Sequence, residues 1–267
     1  VFNKTGDVVY ESGVDFEHAL IEIGHYPEER SGNKGVEPES ITSATYNGTQ
    51  MVFVGSERGS AVGVYDISDR GKPVLAQILA SGMGPEGYVA IPERNLLISA
   101  NEEDLIEDDG PRAHVMIFEY NTDTPQYPQL TSAGMDSLTG WGAISGMVGA
   151  PNGLIYAVND SFYSMQPTIF VIDPSTKPAQ IVDAIAVTRN GSPAQMLDLE
   201  GIALDGNGGF WLASEGDAGD LYPHAIFHVD AAGEIQEQIA YPDALQDIAR
   251  RHAAEGITRV GDRLWIA

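Results

Sequence analysis

A short pattern recurs along this chain, and its period limits the fold more than any other feature. Pro38-Glu39-Ser40-Ile41, Pro85-Glu86-Gly87-Tyr88, Leu199-Glu200-Gly201-Ile202 and Ala254-Glu255-Gly256-Ile257 each place a glutamate, then a small residue, then an apolar one. Further along, a second apolar run ends in a small or amide residue and an acid: Val54-Gly55-Ser56-Glu57, Ser99-Ala100-Asn101-Glu102 and Leu212-Ala213-Ser214-Glu215. A degenerate copy lies between the second and third, with Ala143-Ile144-Ser145-Gly146 followed by Ala157-Val158-Asn159-Asp160. Outer apolar runs follow at 61–66, 115–120, 168–173 and 225–230. Strand-length runs in groups of four, repeating about every fifty residues, are the signature of a β-propeller blade.

The expected fold is therefore all-β, a β-propeller of four-stranded blades. Five repeats are visible, and they fit part of a six- or seven-bladed ring. Asp205-Gly206-Asn207-Gly208-Gly209 reads as a hairpin turn, because Gly and Asn accept positive φ at little cost. One helix interrupts the strands over 243–253, where Pro242 precedes Leu245, Ile248 and Ala249 at helical spacing. Residues 7–11 read as an outer strand. Its inner strands are either 257–267, which would close a small ring, or sequence beyond this chain. Residues 1–267 are read as one propeller domain cut from a longer chain.

Inner strands of a propeller crowd at one face, so a residue repeated at their leading ends forms a ring. Glu39, Glu86, Glu200 and Glu255 hold that position, with Asn159 and Asp160 nearby from the degenerate copy. Clustered carboxylates raise one another's pKa, and a hard cation with oxygen ligands relieves the conflict. These six residues are the candidate metal ligands, and Ca2+ the expected ion. Because neighbouring strands run antiparallel, Glu57, Glu102 and Glu215 return to the same face. Glu215, His224 and His252 are the acid–base candidates, since a carboxylate or imidazole near the mouth can move a proton. His228 sits inside an apolar strand and reads as structural, and Trp141, Trp211 and Trp265 read as core.

Composition narrows the partners. With 14 Lys+Arg against 39 Asp+Glu, the 267-residue chain has a formal charge of −25, which repels nucleic acid. Salt adaptation is a second explanation of that acidity. There is no cysteine, so thiolate nucleophiles and Cys-ligated zinc are excluded. No apolar run approaches the ~20 residues that span a bilayer, and no signal peptide begins at Val1. Nucleophile-elbow, zinc-protease and Walker motifs are absent. Gly82-Met83-Gly84-Pro85-Glu86-Gly87 matches the dinucleotide fingerprint by letter, but Pro85 and the surrounding repeat make it a blade junction.

The run Leu199-Glu200-Gly201-Ile202-Ala203-Leu204-Asp205, followed by Phe210-Trp211-Leu212-Ala213-Ser214-Glu215-Gly216, resembles the phytase-like family, "esterase-like activity of phytase". Residues 250–257 resemble another of its blade starts. Residues 7–17 and 32–39 resemble the propeller region of choice-of-anchor bacterial surface proteins. Residues 155–163 are similar to the calcium-ligand strand of paraoxonase-type lactonases, which implies calcium binding at Asn159 and Asp160; the catalytic His pair of that group is not evident. These resemblances imply a secreted, periplasmic or cell-surface propeller with an esterase or phosphatase-type activity. Two functions follow as expectations. One is a calcium-dependent hydrolase of small anionic esters or phosphoesters. The other is a non-catalytic binding or structural module of a bacterial surface protein.

Overall fold

The computed structural model describes residues 1–160, 166–216, 224–242 and 254–267. The helix expected over 243–253 lies outside the described residues. Two compact units divide the chain, Val1–Gln129 and Leu130–Ala267.

The first unit begins with helix α1 (Asp15–Glu22), whose Phe16 and Leu20 lie one turn apart and, with Ile23, are buried against Val36, Ala61 and Ile78. Strands β1 (Pro38–Tyr46), β2 (Thr49–Ser56), β3 (Ala61–Asp66) and β4 (Val74–Ala80) follow as an antiparallel meander in sequence order. β3 is buried along nearly its whole length, while β1 and β4 alternate exposed and covered positions. A middle strand covered on both faces needs a continuous apolar run, and Ala61-Val62-Gly63-Val64-Tyr65 supplies one. β1 turns into β2 through Asn47 and Gly48, both at positive φ, the two-residue geometry that suits strand twist. A second sheet holds β5 (Pro85–Ile91), β6 (Leu96–Asn101) and β7 (His114–Glu119). No fourth strand joins it among the described residues. The chain after β7 carries Pro125 and Pro128, which lack the N–H a ladder requires. Tyr46, Phe53, Val62, Val64 and Leu97 form the core shared by the two sheets.

The second unit holds β8 (Leu130–Thr131), β9 (Ile144–Gly149), β10 (Ile155–Asn159), β11 (Thr168–Asp173) and β12 (Ala179–Ala186). β9 to β12 form an antiparallel meander, and β8 lies parallel along the outer edge of β12. A small hairpin, β13 (Thr188–Arg189) with β14 (Ser192–Pro193), precedes the next four-stranded meander. That meander is β15 (Leu199–Leu204), β16 (Phe210–Ser214), β17 (Ala225–Val229) and β18 (Ile235–Ala240). The chain ends in the hairpin β19 (Ile257–Val260) and β20 (Arg263–Ile266). Phe227, Leu212 and Val229 are fully buried with Ile169 and Val158 in the largest core cluster. Burying each such side chain contributes about 1.5–3 kcal/mol.

The expected all-β fold of four-stranded propeller-type blades is borne out. Residues 7–11 differ from expectation: they make no strand, only an isolated bridge from Val8 to Phe2. The cause is local. Asn3 Oδ1 accepts hydrogen bonds from the N–H groups of Thr5 and Asp7, folding the segment back on itself. His228 is structural as expected: its Nε2 lies 3.0 Å from Asp205 Oδ2, and its ring stacks on Trp211 at 4.5 Å. Trp265, expected in the core, is 58% exposed.

Candidate metal centre

The recurring glutamates share one backbone device. In β1, β5 and β15 the pairing slips by one residue, and the extra residue is Glu39, Glu86 and Glu200 respectively. In β9 the extra residue is Ser145, the counterpart in the degenerate copy. Glu255 shows the same two-against-one pairing: its N–H donates to Ala267 O, while Ala267 N–H donates to Gly256 O. A β-bulge re-aims the side chain of its extra residue, so the repeat encodes an aimed carboxylate at each strand start.

In the second unit the glycine after the bulge has a packing reason at two strands. A Cβ on Gly201 would lie 2.8 Å from Ile257 N, and one on Gly146 would lie 2.8 Å from Glu200 O. The inner strands β9, β15 and β19 therefore approach backbone to backbone, bringing their leading ends together.

The second acids also share one position. The N–H groups of Glu57, Glu102, Asp160 and Glu215 donate to the carbonyls of Glu37, Gly84, Ala143 and Asp198, at 2.9–3.0 Å. The accepting residue always lies two before the bulge. Glu37, Gly84 and Ala143 hold positive φ there, a conformation that strains non-glycine residues. Each blade thus offers three aimed positions: before the bulge, at the bulge, and at the end of the second strand.

In the first unit these positions carry their own cations. Glu37 receives Arg30 at 2.5 Å, Arg58 Nε at 3.2 Å and the Lys34 ammonium. The Lys34 hydrogen bond, with help from Arg58, overrides burial and holds the Glu37 carboxyl down at about 2. Arg58 also reaches Glu57 at 2.7 Å and Glu103 at 2.8 Å. Burial pushes the Glu57 carboxyl up against the pull of Arg58. Burial, then Glu102, Glu39 and Glu57, push Glu86 up. Two groups of acids could hold an ion here, Glu37–Glu39–Glu57 and Glu57–Glu86–Glu102.

The second unit differs. Asp160, Asp198 and Glu200 each present a carboxylate oxygen, all within 4.8 Å of one another. Burial, then the hydrogen bond and charge of Asp160, then Glu200 and Glu215, push the Asp198 carboxyl up to about 7. Asp198 Oδ1 is buried with no hydrogen-bond partner among the described residues. Glu200 is raised by burial, eased by a hydrogen bond from the Ser145 hydroxyl, and raised again by Asp160, Glu215 and Glu255. An oxygen-only donor set, a buried oxygen without a partner and mutually repelling charges fit a hard cation such as Ca2+.

The six expected ligands are thus distributed. Glu39 and Glu86 fall in the first unit's groups, while Asp160 and Glu200 meet in the second unit's. Glu255 acts on Glu200 through its charge. Asn159 is an amide, and its Oδ1 is buried with no hydrogen-bond partner among the described residues. Its Nδ2 donates to Asp160 O, and it holds the ladder position of Ser56, Asn101 and Ser214, the buried residue preceding each second acid. Of the acid–base candidates, Ser214 pairs with Ala225, so Glu215 and His224 leave the β16–β17 ladder at the same end. Both ring nitrogens of His224 are buried with no hydrogen-bond partner among the described residues. His252 lies outside the described residues. Sequence reasoning misses Glu37 and Asp198, because the position before the bulge is Glu, Gly, Ala or Asp in successive copies and shows no shared letter. Counting back two residues from each glutamate would find them.

Fold and site together define an all-β protein of propeller-type blades with acids at the leading ends of its inner strands. Residues 139–267 match the phytase-like family, described as esterase-like activity of phytase, and residues 1–70 match the choice-of-anchor I domain. Each match covers less than half of the chain, and the phytase-like and choice-of-anchor resemblances seen in the motifs are borne out. No curated protein matches the chain. Among solved structures it is similar to a nidogen/laminin complex, at 12% identity and TM-score 0.34 over 81% of this chain and 67% of that one. It is also similar to Kuenenia stuttgartiensis hydrazine synthase, at 19% identity and TM-score 0.27 over 77% and 49%. A third is the extracellular domain of a hybrid two-component system from B. thetaiotaomicron, at 16% identity and TM-score 0.31 over 85% and 25%. The chain therefore spans about half or less of the last two. Among the described residues, no helix is long and apolar enough to cross a membrane.

Proposed function

We propose that this protein is a calcium-dependent hydrolase of small anionic esters or phosphoesters, with its centre at Asp160, Asp198 and Glu200. The observation that carries the reading is the convergence of three carboxylate oxygens within 4.8 Å, one of them on a carboxyl pushed up to about 7. The match of 139–267 to the phytase-like family, which contains all three residues, supports an ester substrate. When bound, the cation supplies the positive charge that draws in an anionic ester and acidifies water. Asp160, Asp198 and Glu200 hold it and fix its place. Ser145, hydrogen-bonded to Glu200, orients that carboxylate. Glu215, whose N–H donates to Asp198 O, serves as base, and His224, which leaves the ladder at the same end as Glu215, as acid. The match of 1–70 to a choice-of-anchor domain supports a cell-surface or extracellular location, and the charge of −25 argues against nucleic acid.

The choice-of-anchor match also favours a second reading, a non-catalytic surface module that binds calcium for rigidity. Hydrolysis of p-nitrophenyl phosphate, p-nitrophenyl acetate and a small lactone, with calcium and after EDTA, separates the two. The hydrolase reading predicts turnover that requires calcium and is lost in Glu200→Gln. Calcium binding without turnover on any ester would overturn it and leave the module.

A further inference from the structure

The first unit holds a cavity far in character from the acid groups. It has a volume of about 440 Å³ and lies between the β1–β4 meander and the β5–β7 sheet. Four aromatic rings line it: Tyr46, Phe53, Phe118 and Tyr120. Tyr120 stacks on Tyr46 at 5.3 Å and 20°, and the Tyr46 hydroxyl donates to Leu96 O at 2.6 Å, which fixes the lower ring. Glu119 and Asp123, both exposed, stand among its lining residues, and no Lys, Arg or His does.

We propose that this cavity is a binding site for a small organic cation, an amine or quaternary ammonium carrying an apolar group. The volume falls within the ~300–1,000 Å³ of small-molecule sites. Aromatic faces attract a cation through their quadrupole, most strongly when water is excluded. Two carboxylates with no opposing base give the lining one sign of charge, and the net charge of −25 concentrates cations further. An anionic ligand meets only like charge among the ionisable lining residues, so this site and the ester-hydrolysing centre take opposite substrate classes. The apolar lining, with Met51 and Leu79, gives the ligand's hydrocarbon part somewhere to bury.

Calorimetric titration of the intact protein with benzyltrimethylammonium, benzyl alcohol and benzoate tests the assignment. The expected result is saturable binding of the ammonium at least about tenfold tighter than the neutral alcohol, and none of benzoate. Tyr120→Ala is expected to weaken the ammonium about tenfold and Tyr120→Phe to retain it. Glu119→Gln combined with Asp123→Asn is expected to narrow the gap between ammonium and alcohol. Circular dichroism checks that each variant is folded, and if Tyr120→Ala is not, the charge-removing pair still decides. Equal affinity for ammonium and alcohol, or no saturable binding of the ammonium, overturns the proposal. Neither outcome bears on calcium or ester turnover, which are read with other ligands.

Discussion

Replacing Asp198 by asparagine keeps the size of the side chain but removes one negative charge from the Asp160–Asp198–Glu200 group. In the folded protein the Asp198 carboxyl is pushed up to about 7, against an ordinary value of 3.8. The folded state therefore holds the proton more tightly than the unfolded one, and stability falls as pH rises from about 4 through about 7, then levels. Every tenfold gain in proton affinity is worth about 1.4 kcal/mol, so full burial would set a ceiling of ~4 kcal/mol. Asp198 is only half-buried, and screening reduces this to about 1–2 kcal/mol. Asp198→Asn should recover that amount above pH 7, raising the melting temperature by about 3–6 °C. The assay is thermal unfolding followed by circular dichroism at pH 5 and pH 8, in EDTA and in excess calcium. In EDTA the variant is expected to melt above the parent at pH 8 and close to it at pH 5. In calcium the order reverses, because a ligand that binds the folded state alone stabilises only the protein that can hold it. A variant that melts below the parent in EDTA at pH 8, or that gains as much from calcium as the parent, refutes the reasoning.

Three further outcomes follow from the same geometry. Gly201→Ala forces a Cβ to 2.8 Å from Ile257 N and should cost about 1–3 kcal/mol in urea unfolding, whereas Gly87→Ala meets nothing within 4 Å and should stay within about 0.5 kcal/mol. Arg58→Met leaves Glu57 and Glu37 without a shared cation and should destabilise the protein by about 1–2 kcal/mol, read as an earlier urea midpoint; an unchanged midpoint would mean the Arg58 pairs are solvent-screened. Burial acts to raise Asp205, but His228 and the N–H groups of Asn207 and Gly209 hold it below its ordinary 3.8, so its stabilisation is present above that value and lost as pH falls through the folded one. Asp205→Ala should therefore flatten the acid limb of a stability–pH curve and cost about 1–3 kcal/mol at neutral pH.

What is legible in the sequence follows from repetition. Four copies of Glu-small-apolar mark the strand starts; the structure explains the glutamate as the extra residue of a bulge, and the glycine at Gly201 as room for the next strand. The return of Glu57, Glu102 and Glu215 to the same ends follows from antiparallel pairing. Other features leave no repeated letter. Glu37 and Asp198 share a backbone role but not a residue type with Gly84 and Ala143, so only the ladder reveals them. The neutralisation of Glu37 by Arg30, Lys34 and Arg58 depends on a turn and on a neighbouring strand end, neither of which periodicity marks. Helix α1 escapes the sequence reading although Phe16, Leu20 and Ile23 carry helical spacing, because one short run of this kind is a weak signal beside a long strand repeat.

Asp160, Asp198 and Glu200 are, on this account, one cation site held apart from its ion by a proton. Calorimetric titration with Ca2+ at pH 7, repeated in two buffers of different ionisation enthalpy, measures binding and proton release together. With the Asp198 carboxyl raised by burial and by Asp160, protons should leave as the ion binds at that pH, and this proton-linked binding should vanish in Asp160→Asn. Calcium binding with no proton release, or binding that survives Asp160→Asn unchanged, would contradict the account.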